Sequence, residues 1–360
     1  MGTSPTKTTS IGEAAALPSS PEQLTPEFLT STLQAVFPGA RVRDCRRETL
    51  TGERGITSAL TRLQLVSDDP AVPTTMIAKL PPAHPGTRQQ LHAMGFFARE
   101  VGFYRTLADL TPVPTPVCYG AEIDRETGAA LLLIEDLAAA RNGSSVEGST
   151  VDEVAVVLLA LARVHARWWE HPAVVDVPWL TLTSALAPSV VAQVFEQGWQ
   201  TFLERSSILL DEILATKDWI SSTLLGASTA LFETGPRTLV HNDLQADNLF
   251  FTDDPARPVV FVDWQMATYG RCVIDVANAI QGNLPRSLRR SAEAELLCHY
   301  HEALVRAGVR DYPWERCRAD YELATVIAPG RLASAVGHHP GLAAHPGAPW
   351  DTVFPRFTRA

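Results

Sequence analysis

The chain contains little that would indicate a disulfide-bonded, zinc-binding or membrane protein. Its five cysteines are scattered without a C-x-x-C pair, so neither a disulfide framework nor a zinc site is predicted, and reduced thiols in the cytoplasm are expected. No apolar run approaches the length of a membrane-spanning helix, which predicts a soluble protein with no membrane partner. Residues 1–23 lack the apolar centre of a signal peptide and are predicted to form a disordered tail.

The chain also lacks an excess of basic charge. Thirty Lys and Arg residues stand against forty Asp and Glu residues, which gives a formal net charge of −10. Binding to nucleic acid asks for a basic face, and no polybasic cluster is present, so no nucleic-acid partner is predicted. A length of 360 residues is sufficient for a large core divided between two lobes.

One polar segment, residues 241–248 (called here the polar loop), has the spacing H-x-D-x-x-x-x-N with His241, Asp243 and Asn248. Two apolar runs, 249–251 and 259–262, then predict a β-hairpin that ends at Asp263. Asp and Asn in loops often only cap backbone amides. Phosphoryl transfer, however, needs a carboxylate for the proton of the attacking hydroxyl and oxygen ligands for Mg²⁺. The pattern therefore predicts Asp243 as the catalytic carboxylate, with Asn248 and Asp263 as Mg²⁺ ligands.

These motifs resemble the aminoglycoside phosphotransferase and choline kinase superfamily, whose fold is like that of protein kinases, and most closely its ecdysteroid kinase-like branch. The matching residues are His241, Asp243, Asn248, Val262, Asp263, Trp264, Gln265, Gly270 and Asp275. The resemblance implies ATP and Mg²⁺ as cofactors, and it implies that His241 and Asp275 support the polar loop. The sequence departs from the pattern at Asn242, where small-molecule kinases usually have glycine and protein kinases have arginine.

The fold implied by the resemblance is an α+β, bilobal protein kinase-like fold. Residues 24–137 would form an N-lobe with a small antiparallel β-sheet and one main helix, and residues 138–360 a larger, mostly helical C-lobe. Local patterns in the N-lobe predict a helix that starts at Pro26 with Thr25 as its N-cap. They also predict strands at 41–50, 58–66, 74–80, 117–123 and 129–134, and a helix at 88–107.

Three parts of the N-lobe are candidates for nucleotide binding. Lys79 interrupts an apolar strand, where it is unfavourable without an anionic partner, and Glu100 on the following helix is the predicted partner; unpaired, both would face solvent. The glycine-containing loop Thr51–Ser58 would approach phosphate oxygens, with Ser58 the nearest side chain, although such loops are also common in ordinary hairpins. A hinge at Glu135 and Leu137 would bind adenine through backbone groups.

The C-lobe is predicted to be helical from Thr150, with further helices at 189–203, 208–232, 291–307 and 313–327. His165 lies on the apolar face of the first helix and is interpreted as a packed core residue. The segment 171–236 would line an acceptor pocket. Four tryptophans in or near this segment would either form aromatic walls of the pocket or pack in the core. They are Trp168, Trp169, Trp179 and Trp199. From Gly337 onward a flexible tail is expected.

The predicted function is ATP-dependent transfer of the γ-phosphate to a hydroxyl of a small, bulky and partly apolar molecule. A protein kinase is disfavoured, because Asp275 follows Asp263 closely and no Ala-Pro-Glu segment follows to form a peptide platform. Two alternatives stay open. One is an aminoglycoside or other antibiotic phosphotransferase, since an acidic protein suits a polycation. The other is a nucleotide-binding protein without catalytic activity.

Overall fold

The computed structural model describes residues 16–50, 57–205, 210–338 and 353–357, with only the backbone described for 210–215 and 338. The chain divides into two compact units: one contains residues up to Thr111 together with Thr115–Ala139, and the other contains Pro112–Pro114 and the residues from Ala140 onward. Residues 51–56 of the predicted phosphate loop and residues 1–15 of the predicted tail lie outside the described residues. Within the remainder of that tail, Pro21–Gln23 form a 3-10 turn.

The first unit consists of a short helix, a five-stranded sheet and two further helices. In chain order these are α1 (Pro26–Leu33), β1 (Val42–Thr49), β2 (Ala59–Ser67), β3 (Thr75–Leu80), α2 (Pro85–Ala93), α3 (Phe96–Thr106), β4 (Cys118–Ile123) and β5 (Ala130–Glu135). Thr25 caps α1 as predicted, because its side chain accepts a hydrogen bond from the Phe28 amide. All five predicted strands are present.

The strands form one sheet in the order β1-β2-β3-β5-β4, and every neighbouring pair is antiparallel. Alternate side chains of β2 and β3 point into a core shared with α1. Leu63, Met76 and Leu133 are fully buried in this core. The other face of β3 presents Lys79, which stands opposite Leu60 on β2 and Leu132 on β5.

The prediction of a single helix at 88–107 is wrong, because the structure has two helices, α2 and α3. The break falls at Gly95, whose φ of 78° lies in the left-handed region. Glycine adopts this conformation without the steric cost that other residues meet, so the chain changes direction there. The redirected α3 carries Glu100 on its buried side.

The second unit is mostly helical, with short strands around the polar loop. Its elements are β6 (Arg141–Asn142), α4 (Val151–Trp168), α5 (Pro188–Arg205), α6 (Leu210–Glu233), β7 (Thr238–Val240), β8 (Leu249–Phe251), β9 (Val259–Phe261), β10 (Thr268–Gly270), α7 (Val273–Asn283), α8 (Arg286–Arg306), α9 (Trp314–Ala324) and α10 (Ile327–His338). Helix α4 starts with a capping box between Thr150 and Glu153. The α+β class and the protein kinase-like architecture are therefore as predicted.

Two small antiparallel ribbons hold the polar loop. Strand β7, which leads into the loop, pairs with β10, and β8, which leaves it, pairs with both β6 and β9. The predicted hairpin of 249–251 and 259–262 is thus present as β8 and β9. Helix α7, which was not predicted, begins just after β10 and is buried along its whole length.

The prediction of a flexible tail from Gly337 onward is wrong for the described part of that segment. Helix α10 continues to His338, and Phe354–Phe357 form a 3-10 turn with both phenylalanines buried. The Phe354 ring packs at 4.8 Å from that of Phe202 on α5. Arg356 donates hydrogen bonds to the carbonyl oxygens of Gly282 and Val146. Burial of aromatic rings and satisfied backbone carbonyls stabilise this end of the chain.

Candidate active site

In the first unit the structure brings Lys79 and Glu100 together as predicted from the sequence. The Lys79 Nζ atom lies 2.8 Å from Oε1 and 2.7 Å from Oε2 of Glu100. The two side chains are 10% and 7% exposed, so the ion pair lies in a largely desolvated position. Glu100 orients the ammonium group along one face of the sheet, and a cation held in this way is suited to an anionic ligand.

The remaining nucleotide candidates also lie in the first unit. Ser58 is buried immediately before β2. Glu135 ends β5, and its carboxylate accepts a hydrogen bond from the Val117 amide at 3.1 Å. Leu137 follows two residues later, and its backbone N–H and C=O make no hydrogen bond within the described part of the chain. Such backbone groups are suited to the donor and acceptor edges of a planar base.

In the second unit Asp275 holds the start of the polar loop. This carboxylate, fully buried on α7, accepts hydrogen bonds from the backbone amides of His241 at 2.7 Å and Asn242 at 2.6 Å. His165 on α4 lies between Asp275, at 3.3 Å, and the hydroxyl of Tyr300, at 2.7 Å. His165 is therefore a packed, hydrogen-bonded core residue, as interpreted from the sequence. The arrangement ties the loop to α4, α7 and α8.

His241 connects the polar loop with the segment that ends in Asp263. Its Nε2 atom is 2.9 Å from the carbonyl oxygen of Val262, and its ring lies 4.6 Å from that of Trp264. Both residues flank Asp263 directly in the chain. His241 thus acts on the relative position of two predicted site residues, and its own side chain is buried.

The structure brings Asp243, Asn248 and Asp263 into one hydrogen-bonded region. The Asn248 side-chain amide donates to the backbone oxygen of Asp243 at 2.8 Å and to its Oδ2 atom at 3.3 Å. The backbone oxygen of Asn248 accepts from the Val262 amide at 3.1 Å, so Asp263 follows directly. Gln265, a further residue not named as a site residue from the sequence, donates to Oδ2 of Asp263 at 3.2 Å.

The backbone of Asp263 adopts an unusual conformation, with φ of 65° and ψ of 61°. Residues other than glycine rarely occupy this left-handed region, and they do so mostly where surrounding contacts hold them in place. The turn that follows, Trp264–Met266, is anchored by the buried Trp264.

The donor set fits Mg²⁺. Magnesium prefers oxygen ligands, keeps several waters and is commonly held by one or two carboxylate or amide oxygens together with substrate phosphates. Asp263 and the amide oxygen of Asn248 supply such ligands. Within the described ranges no group of three or more His, Cys, Asp or Glu side chains is arranged for metal binding. A site completed by phosphate oxygens does not require such a group.

Sequence reasoning did not assign Asn242 of the polar loop, or Arg331 on α10 that contacts it, to the site. The Nη1 atom of Arg331 donates to the backbone oxygen of Asn242 at 3.0 Å and to its Oδ1 atom at 2.7 Å. Asn242 has a φ of 67°, a conformation that glycine adopts easily and that Asn tolerates better than most residues. The departure from the family's glycine therefore keeps the backbone geometry. The departure from glycine within the motif was a sequence signal for Asn242, whereas no motif or periodic pattern marks Arg331.

A cavity of about 270 Å³ lies beside β10. It is lined by the segment after α4, the end of α6 and β10, and includes apolar residues together with Arg237, Thr268 and Tyr269. Thr268 pairs with Val240, three residues before Asp243. The tryptophans considered as walls do not line this cavity, and Trp168 and Trp199 are core residues.

Comparisons with known proteins agree with this architecture. Residues 59–318 match the model of a family described as the phosphotransferase enzyme family, and the chain belongs to that family. It is accordingly an enzyme that transfers a phosphoryl group to a hydroxyl acceptor. A comparison with curated proteins found no match. None of the described helices is both long and apolar enough to cross a membrane.

Solved structures with similar folds include a choline kinase from Cryptosporidium parvum Iowa II, with 11% identity, a TM-score of 0.52 and coverage of 87% of both chains. A macrolide 2′-phosphotransferase from Brachybacterium faecium has 17% identity and a TM-score of 0.47, with 91% of this chain and 98% of that chain covered. A choline kinase from Streptococcus pneumoniae has 14% identity and a TM-score of 0.48, with 92% and 95% covered. At these identities the first similarity supports the fold alone.

Proposed function

We propose that the protein is an ATP-dependent kinase that transfers the γ-phosphate to a hydroxyl of a small molecule. The observation that carries the proposal is the geometry of the polar loop. Asn248 bonds to Asp243, the loop is braced by Asp275, and its backbone bonds directly to the segment that ends in Asp263. Catalysis of phosphoryl transfer rests mainly on positioning and charge neutralisation, and this loop supplies groups for both.

Each residue has a separate role in this proposal. Asp243 orients the acceptor hydroxyl and takes its proton. Asp263 and Asn248 hold Mg²⁺, which when bound neutralises charge on the phosphate oxygens. Gln265 orients the Asp263 carboxylate, and His241 and Asp275 hold the loop. All of these groups belong to the second unit, consistent with a C-lobe of residues 138–360 that performs the chemistry.

The first unit supplies the groups for nucleotide binding. Lys79, oriented by Glu100, contacts the α- and β-phosphates, and Ser58 lies near the phosphates. Adenine bonds to backbone groups at Glu135 and Leu137, a role supported by the Leu137 backbone groups that remain unbonded within the described residues. We assign these functions to an N-lobe of residues 24–137. A requirement for ATP and five cysteines free of disulfide bonds favour a cytoplasmic location.

For the acceptor we propose a bulky, partly apolar alcohol, as expected for the ecdysteroid kinase-like branch. The cavity beside β10 supports a partly apolar acceptor, since eight of its fourteen lining residues are apolar. The other six are polar or charged: Asp176, Thr181, Glu233, Arg237, Thr268 and Tyr269. An aminoglycoside or other antibiotic is the second candidate. It is favoured by the acidic composition, since an acidic protein suits a polycation.

The proposal is tested by incubating the enzyme with a metabolite extract, Mg²⁺ and isotopically labelled ATP, followed by mass spectrometry for molecules that gain phosphate. The matched control is Asp243→Asn, which keeps the size and shape of the side chain. We expect turnover of the labelled acceptor to fall about 10²- to 10⁴-fold in this variant, because the base is lost. ADP affinity, measured by calorimetry, should stay the same.

Each outcome of the screen bears on a different part of the proposal. Phosphate gain by neutral, apolar alcohols supports the whole of it. Gain by aminoglycosides alone would replace the apolar acceptor with an antibiotic. Unchanged turnover in Asp243→Asn would contradict the role of Asp243, and no labelled product with intact ATP binding would favour a nucleotide-binding protein without kinase activity.

A further inference from the structure

Arg331 makes the most extensive side-chain contact with the polar loop from outside the motif residues. It lies on α10, 89 residues after Asn242 in sequence, and its Nη1 atom bonds to two oxygens of that residue, at 3.0 and 2.7 Å. The guanidinium also stands 5.5 Å from the centre of the Phe232 ring on α6. A planar cation held by two acceptors and an aromatic face has little freedom to move.

Asn242 in turn is bonded to two further elements. Its backbone amide donates to Oδ1 of Asp275 on α7, at 2.6 Å. Its side-chain amide donates to the backbone oxygen of Met266 at 3.2 Å, in the turn that follows Asp263. The side chain of Asn242 therefore connects α10 with the turn that follows Asp263. Asp243 is the residue directly after Asn242 in the chain. A glycine at this position would accept the φ of 67° but would lose both side-chain bonds.

The charge of Arg331 adds to this arrangement. Burial lowers the pKa of Arg331 to about 10, while the carboxylates of Asp243 and Asp275 oppose that shift. The guanidinium is therefore cationic at neutral pH and lies in the field of both carboxylates. Hydrogen bonds from a charged donor in a desolvated position are stronger than neutral ones.

We propose that Arg331 is a positioning residue that acts through Asn242 to hold Asp243 in place relative to the Asp263 segment. The inference rests on the proposed function for its catalytic consequence, because it assigns to Arg331 the orientation of the base in that reaction. Its structural part, the coupling between Arg331 and the backbone of the loop, stands on the hydrogen bonds alone. Arg331 donates to the backbone oxygen and to the side-chain oxygen of Asn242. The effects of changing the two residues should therefore be coupled.

The experiment uses the full chain with Arg331→Met, Arg331→Lys, Asn242→Gly and the double variant Arg331→Met with Asn242→Gly. The control is Arg205→Met, which removes another arginine that bonds to α10, through the Val336 carbonyl oxygen at 2.5 Å. Two quantities are measured for each variant. They are the protection of amides 241–243 from hydrogen exchange and the rate of phosphate release from ATP to water, with ADP affinity determined alongside.

We expect Arg331→Met to reduce protection of the loop amides about tenfold, as expected for loss of a charge-assisted hydrogen bond. Phosphate release should fall by a similar factor while ADP affinity changes less than about twofold, since the nucleotide groups are untouched. The loss in the double variant should be smaller than the sum of the two single losses, because the bond from Arg331 to Oδ1 of Asn242 is counted in both. Arg331→Lys should recover part of the loss, and Arg205→Met should leave loop protection unchanged.

Three results would overturn the inference. They are unchanged protection in Arg331→Met, additive losses in the double variant, and an equal loss of loop protection in Arg205→Met. If the extract screen yields no phosphorylated product, the proposed function fails separately. The exchange measurements then still decide whether Arg331 holds the loop through Asn242.

Discussion

The Lys79–Glu100 pair of the first unit and the polar loop of the second unit are held in different ways. The pair is an ion pair between two side chains, from β3 and α3, with Nζ about equally far from both carboxylate oxygens. Each partner lies in a regular element with its own apolar pattern. A change to either side chain therefore removes the interaction but leaves the strand and helix backbones in place.

The polar loop depends on its backbone. Asp275 accepts two loop amides, Asn283 donates to the Leu244 carbonyl oxygen at 3.0 Å, and Arg331 donates to Asn242. These groups come from α7 and α10, and His165 on α4 supports Asp275 from behind. The difference indicates that the ion pair in the first unit can be changed locally, whereas changes on several helices reach the polar loop. The following experiments test that distinction.

The largest effect is expected for Asp275→Ala. Loss of the carboxylate leaves two buried loop amides and His165 without their acceptor, which should cost about 3–5 kcal/mol of the free energy of unfolding. Denaturant unfolding of the variant checks this value. Asp275→Asn is the control, because its remaining oxygen still accepts one amide and the loss should be smaller. A loss below about 1 kcal/mol in Asp275→Ala would show that the loop does not depend on this brace.

Changes to Lys79 and Glu100 should affect the stability of the protein through their mutual interaction and leave the surrounding elements intact. A double-mutant cycle with Lys79→Met and Glu100→Gln should give a coupling free energy of about 1–3 kcal/mol in unfolding. Hydrogen exchange of amides 96–106 reports whether α3 stays intact, and we expect no change. Additive losses would mean that the two side chains do not stabilise each other despite their contact.

Gln265 offers a smaller change on the loop side. Because its amide orients the Asp263 carboxylate, Gln265→Ala should weaken Mg²⁺ binding in the ADP complex about 10- to 100-fold. Asp263→Ala should remove the Mg²⁺ dependence of ADP binding altogether. Calorimetric titration with and without Mg²⁺ measures both, with the exposed Gln64→Ala as control. Equal Mg²⁺ affinity in Gln265→Ala and the unchanged protein would contradict the orienting role.

The smallest effect concerns the charge of the acceptor. Transfer of a cationic head group from water into a partly apolar cavity costs desolvation free energy, so a cationic alcohol should be disfavoured relative to a neutral one. Choline and 3,3-dimethylbutan-1-ol have nearly the same shape and differ in charge. We expect kcat/KM to favour the neutral alcohol by about fivefold, the effect of about 1 kcal/mol of desolvation. Preference for choline would instead favour a cationic acceptor class.

The elements that the sequence predicted correctly are those marked by residues close together in the chain. The strands and the N-cap of α1 follow from alternation, apolar runs and a Thr-Pro start, all within a few residues. The break between α2 and α3 was missed because the apolar pattern continues across Gly95, and only its left-handed conformation ends the helix. The buried turn at Phe354–Phe357 was missed because its partners lie on α5 and α7, far away in sequence.

The sequence by itself determined which reactive side chains this protein offers. A lone lysine in an apolar strand predicted an anionic partner, and the H-x-D-x-x-x-x-N spacing with a later Asp predicted a base and oxygen ligands within one short stretch. Tertiary structure alone decided which further side chains hold those groups. Arg331 and His165 reach the polar loop or its brace from helices distant in sequence. A hydrogen bond made by a single buried polar side chain depends on where whole helices pack, and that packing leaves no periodic pattern around the residue itself.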